Sequence, residues 1–115
     1  GRVFEGTMAQ MHDSLSRLAD LPPETMICSG HEYTEKNAKF ALTVDPENPK
    51  LISRADEVDK LRGAGTPTVP TKLTDELDTN PFLRADNPDI QANLGMTGAD
   101  PVEVFAEIRA RKDRF

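Results

Sequence analysis

Four dipeptides constrain this chain more than anything else in it: Asn48-Pro49, Asn80-Pro81, Asn87-Pro88 and Asp100-Pro101. In each, the Asx side chain can accept from backbone N–H groups that lack a partner at a helix start. The proline then takes the first helical position, where its missing N–H is no loss. A helix cannot run through such a point without losing a backbone bond and meeting a steric clash. The pattern therefore predicts separate, short helices with fixed starting points.

The clearest of these helices opens at Asn48-Pro49. Leu51, Ala55, Val58 and Leu61 form its apolar stripe, and Gly63-Ala64-Gly65 is a natural stop. Residues 66–72, TPTVPTK, carry two prolines and read as an extended connector. The last helix begins at Asp100-Pro101-Val102-Glu103, directs Val102 and Phe105 at the core, and reaches Lys112. Upstream, residues 2–5 (RVFE) read as the tail of a strand. Thr7 and Gln10 have the spacing of a capping box. Met8, Met11, Leu15 and Leu18 then lie on one helical face, and Leu21-Pro22-Pro23 ends that helix near Asp20. Thr25 to Cys28 is a short apolar run between Pro-Pro and Ser-Gly, which reads as a buried strand with Cys28 directed inward. A further helix is predicted over 34–44.

The segment ICSGHEYTEKN, residues 27–37, places His31 between that strand and that helix. Strand ends are common places for metal ligands, but taken alone His31 reads more readily as a hydrogen-bonded structural histidine. His31 and Glu35 stand at i and i+4, yet HEYTE is not the two-histidine pattern of a zinc helix. His12, beside Asp13, reads as solvated. The ending IRARKDRF offers a second candidate. Arg109 and Lys112 continue the stripe of Val102 and Phe105, so both project from the core side of the helix. Two cations there can clamp a carboxylate, or they can simply offset the helix dipole in its last turns.

Several classes are disfavoured. Among the 115 residues 30% are charged, with a formal net charge of −6, which argues against a nucleic-acid partner. No apolar run approaches the roughly 20 residues that span a bilayer, so no membrane role is expected. Only 37% of residues are hydrophobic and 5% aromatic, a thin supply for an independent core. Cys28 is the one cysteine, so no internal disulfide forms; this fits a reducing compartment, and the expected location is the cytoplasm.

Read together and in order, FEGT, LPPET, CSGHEYT, PTVPTKL, TNPFLR and DPVEVFAEIRARKDRF resemble the C-terminal half of glyoxalase II, the hydroxyacylglutathione hydrolase family. The resemblance covers nearly the whole chain. It implies a mainly α chain with a short buried strand. Residues 1–45 would be the end of an αββα metallo-β-lactamase fold, and residues 46–115 the helical C-terminal domain. It also implies hydrolysis of S-D-lactoylglutathione to D-lactate and glutathione through two divalent metal ions, zinc or else iron or manganese. The family's metal motif T-H-x-H-x-D-H is absent from this sequence. At most one ligand, His31, would come from this chain. An N-terminal half would be its partner, and the chain alone would be inactive. Arg2, Tyr33, Arg109 and Lys112 match the family's glutathione contacts, the last two holding the glycine carboxylate, while Phe4 stands where some members have tyrosine. A non-catalytic helical interaction module derived from the same family is the alternative reading.

Overall fold

The structure is a computed structural model and describes residues 6–28 and 32–115. Its elements run α1 (Met8–Ala19), β1 (Met26–Ile27), α2 (Thr34–Val44), α3 (Pro49–Gly63), β2 (Thr71–Lys72), α4 (Leu73–Thr79), a 3-10 turn (Pro81–Leu83), α5 (Pro88–Asn93) and α6 (Pro101–Arg114). The chain is thus mainly helical with one two-stranded sheet. The expected strand tail at residues 2–5, Arg2, Phe4 and His31 all lie outside the described residues.

Each predicted cap forms. Thr7 Oγ1 accepts from the Gln10 amide at 3.1 Å, and Gln10 Oε1 accepts from the Thr7 amide at 2.9 Å. Asn48 Oδ1 accepts from the amides of Lys50 and Leu51, and Asn87 Oδ1 from those of Asp89 and Ile90. Asn80 and Asp100 each cap one amide, that of Phe82 at 3.0 Å and of Val102 at 2.8 Å. A cap of this kind contributes about 1 kcal/mol. α3 stops as its glycines require: Gly65 takes φ 72°, and the Thr66 amide turns back onto the Leu61 carbonyl at 2.8 Å.

The core gathers Phe40 and Val44 from α2, Ala85, Ile90 and Leu94 from around α5, and Val104, Phe105 and Ile108 from α6. Met8, Met11 and Leu15 of α1 pack against it. α2 therefore shares its core with residues on the far side of position 46. On α3 the expected stripe holds, with Leu51 and Val58 buried and Ala55 and Leu61 half-buried. α3 is tied to β2 and α4 by Arg54. Its guanidinium donates to Thr79 Oγ1 at 2.6 Å, to Glu76 Oε1 at 2.8 Å, to Thr71 Oγ1 and to the Asp75 carbonyl.

Four expectations need correction. The strand after Pro22-Pro23 is two residues long and not buried. β1 pairs antiparallel with β2 in the register Met26 to Lys72 and Ile27 to Thr71, Met26 is 50% exposed, and Cys28 is exposed as well. An apolar run fixes strand character but not how many faces are covered. Here Thr25 and Ile27 face protein while Met26 and Cys28 face out. Leu18 is exposed, and Ala19 takes its place in the half-buried row. At 3.6 residues per turn, position 19 lies about 20° from Met8 around the helix and position 18 about 80°. Residues 66–72 are not connector throughout, since Thr71-Lys72 forms β2 and leads directly into α4, a helix without an Asx-Pro start. Finally, His12 is half-buried rather than solvated, its ring edge-on to Phe105 at 5.6 Å.

A cation pair over an aromatic row at the α2–α6 corner

The C-terminal half of α6 carries four cations besides its core face, and they separate into two groups. Arg111 pairs with Glu107 at 2.9 Å, with Arg114 at the edge of the same carboxylate. Arg109 and Lys112 lie on the other side, continuing the buried row Val104, Phe105 and Ile108 as their spacing predicts. Arg109 is only 6% exposed. A helix-dipole role alone would be served on any face of the last turns; it does not account for a guanidinium placed inside.

The floor beneath these two cations is a row of rings. Phe40 stacks with Phe82 at 6.3 Å, Phe82 meets Phe105 edge-on at 5.5 Å, and Phe40 meets Phe115 edge-on at 5.6 Å. The Arg109 guanidinium sits 5.2 Å above Phe82. Lys112 Nζ sits 5.6 Å from the Phe40 centroid and 5.3 Å from that of Phe115. Ring faces attract cations, by about 0.5–1 kcal/mol where exposed and ~2 kcal/mol where dry. The sequence motif TNPF gains its meaning here: the Asn80 cap and Pro81 set the 3-10 turn that brings Phe82 under Arg109.

Asp113 orients the fork. Its Oδ1 accepts from Arg109 Nε at 3.0 Å and from Nη2 at 2.7 Å. Lys112 has no ion pair among the described residues. Burial holds its pKa below the ordinary lysine value, Arg109 and then Lys36 push it further down, and Asp113 opposes them only in part. Asp113 pairs with Arg109, and Lys112 over the same aromatic row carries a charge that a bound anion would stabilise.

α2 supplies the opposite wall. Tyr33 is its N-cap residue and is 59% exposed. Tyr33, Lys36 and Phe40 follow at i, i+3 and i+7, one face of the helix, and Lys112 stands over the last of them. The approach to α2 is fixed from outside. Glu32 accepts from the Thr68 amide at 3.1 Å and from the Thr68 hydroxyl, which holds its carboxyl below the usual range. Of the site residues expected from the sequence, Arg109, Lys112 and Tyr33 are described; Arg109 and Lys112 share this aromatic floor, and Tyr33 stands exposed at the start of α2. Phe40, Phe82, Asp113 and Lys36 were missed. Of these, TNPF and the i, i+4 spacing of Arg109 and Asp113 were visible signals, whereas Lys36 carries none.

Among the described residues no three His, Cys, Asp or Glu side chains come together in a way that could hold a metal ion. Among them, too, no helix is long and apolar enough to cross a membrane.

The family model described as hydroxyacylglutathione hydrolase C-terminus matches residues 32–115. The whole chain aligns with proteins named hydroxyacylglutathione hydrolase from Jannaschia sp. (62% identical), Ruegeria pomeroyi (64%) and Rhodospirillum rubrum (60%). In each case it covers 100% of this chain and 45% of the relative. The chain therefore spans less than half the length of the curated relatives it matches.

Proposed function

We propose, since the chain belongs to the hydroxyacylglutathione hydrolase family, that it is the substrate-holding C-terminal part of a glutathione thioester hydrolase acting on S-D-lactoylglutathione. The observation that carries this reading is the burial of Arg109 over Phe82, with Lys112 beside it over the same aromatic row. In this reading the pair holds the glycine carboxylate of glutathione. Arg109 gives a planar fork whose direction Asp113 sets, and Lys112 gives a point charge. Tyr33 lines the tripeptide from the α2 side, and Arg2 is the remaining glutathione contact carried over from the family resemblance.

The task of these residues is placement. A flexible tripeptide fixed at its carboxylate end presents the thioester in one orientation, and orientation alone can lower a barrier by several kcal/mol. The described residues do not themselves fit a metal centre. The two metal ions of this proposal, zinc or else iron or manganese, rest on sequence the relatives carry beyond this chain, with His31 as the one ligand from here. When bound, such ions supply the hydroxide for thioester hydrolysis. The same reading makes residues 1–45 the end of a metallo-β-lactamase-like domain, places the protein in the cytoplasm, and leaves residues 1–115 alone without hydrolase activity.

Metal analysis of the full-length protein tests the assignment of His31. The parent is expected to hold two ions per chain and His31→Ala close to one. A His31→Ala protein that keeps both ions removes His31 from the site.

The pH dependence of binding tests Lys112. A cation whose pKa is depressed in the free protein loses its charge, and its hold on a carboxylate, at a lower pH than an ordinary lysine. Calorimetric affinity for an inert S-alkyl glutathione is expected to fall on the alkaline side, beginning below the ordinary lysine pKa. Lys112→Arg, always charged, should flatten that fall. An alkaline limb unchanged by Lys112→Arg would assign it to another group.

A further inference from the structure

We propose that Lys36 is a further substrate-binding residue, a third cation that acts on the second of the two carboxylates of a glutathione substrate. This rests on the reading of the α2–α6 corner given above and adds a residue that the family match does not supply.

Lys36 and Phe40 are neighbours at i and i+4 on α2, and Lys112 Nζ lies over the Phe40 ring. Lys36 therefore lies on the side of α2 that Lys112 approaches, and its charge acts on Lys112. Its neighbour Lys39 turns to Glu35 at 3.3 Å. Most cations of this acidic chain are ion-paired in the same manner, among them Arg17 with Asp13, Lys50 with Asp78 and Lys60 with Asp56. Neither Lys36 nor Lys112 has an ion pair among the described residues, and Lys36 contributes to the depressed pKa of Lys112 in the free protein.

Two lysines without an ion pair among the described residues, beside the Arg109 guanidinium, are matched by a ligand that offers more than one carboxylate. Glutathione thioesters have that form, with a carboxylate at the glycine end and another, beside an α-ammonium, at the γ-glutamyl end. One is taken by Arg109 and Lys112. Lys36, exposed and on a flexible stem, reaches toward the other. A solvent-exposed charge pair is a modest contact, so the effect belongs to affinity and to its salt dependence and not to the chemical step.

The test uses the full-length hydrolase with Lys36→Gln, Lys36→Glu and Lys36→Arg, assayed on S-D-lactoylglutathione. Lys36→Gln is expected to raise KM by about 2- to 5-fold with kcat unchanged. Lys36→Glu should raise it further, and Lys36→Arg should restore the parent value. The fall of kcat/KM with ionic strength should become shallower in Lys36→Gln. A substrate esterified at its γ-glutamyl carboxylate should be indifferent to Lys36 while still responding to Lys112→Ala. Melting temperatures confirm that the exposed substitutions leave the fold intact. If Lys36→Glu keeps the parent KM and salt slope while the Arg109 and Lys112 variants lose affinity, Lys36 is only a surface lysine and this inference fails alone. If none of the three positions affects KM, the reading of the site fails with it.

Discussion

Replacing Arg109 and Lys112 together by alanine is expected to lower kcat/KM of the full-length hydrolase by roughly 10- to 150-fold, the range implied by about 1.5–3 kcal/mol for hydrogen bonds to a charged group. The loss should fall mainly on KM. A carboxylate far from the thioester is held equally in the ground and transition states, and removing uniform binding leaves kcat in place. The single variants should not add up, because the two cations share one carboxylate and one aromatic floor. Folding must be followed alongside. Arg109 is 6% exposed, and its loss leaves Asp113 without the partner at 2.7 Å. The Lys112 variant separates the two effects. Its ammonium is disfavoured in the folded state by burial, Arg109 and Lys36. A group with a lowered folded pKa weakens the fold most at pH values below that pKa, and the penalty fades as pH rises through it toward the ordinary lysine value. Lys112→Ala should therefore cost affinity without a matching loss of stability at neutral pH. A double variant with parental kcat/KM and a normal melting curve would return both residues to the helix-dipole role.

Phe105→Ala should have the largest effect on stability, about 3–5 kcal/mol, the usual cost of emptying a buried phenylalanine site. Phe105 is 1% exposed and lies among Val104, Ile108, Ile90 and Phe82. Domains are stable by only about 5–15 kcal/mol in total, so the variant should be near unfolding. The denaturation midpoint measures it. Val102, half-buried at the start of the same helix, should cost about 1 kcal/mol when cut to alanine, as typical substitutions do. Equal losses at 102 and 105 would contradict the packing described. Phe105 also braces Phe82 at 5.5 Å, and Phe82 lies under Arg109. The variant should therefore lose substrate affinity in conditions where it is still folded, which connects core packing to the anion site.

The helix starts were legible because their signals are local. Asn48, Asn80, Asn87 and Asp100 cap amides only two or three residues away, so the chain states those boundaries without knowledge of its fold. The capping box at Thr7 and Gln10 was readable for the same reason. α4 begins at Leu73 with no side-chain cap, and its anchor is the reach of Arg54 across from α3, a contact no local pattern announces. The strand at Met26–Ile27 was recognised but its burial was not, since burial is decided by what stands beside a strand. At the site, the shared face of Arg109 and Lys112 follows from helical spacing. Phe82, Phe40 and Lys36 meet that face only through tertiary packing. His31 stands out in the sequence through GHEYT, and it lies outside the described residues.

The central claim is that Arg109 and Lys112 recognise the glycine carboxylate of a glutathione thioester. The most direct measurement compares two substrates in the full-length protein: S-D-lactoylglutathione and its analogue with the glycine carboxylate converted to a carboxamide. The parent is expected to favour the natural substrate by roughly 10- to 150-fold in kcat/KM, and the Arg109→Ala, Lys112→Ala double variant to treat the two alike. A parent that does not distinguish them, or a double variant that still does, would contradict the assignment.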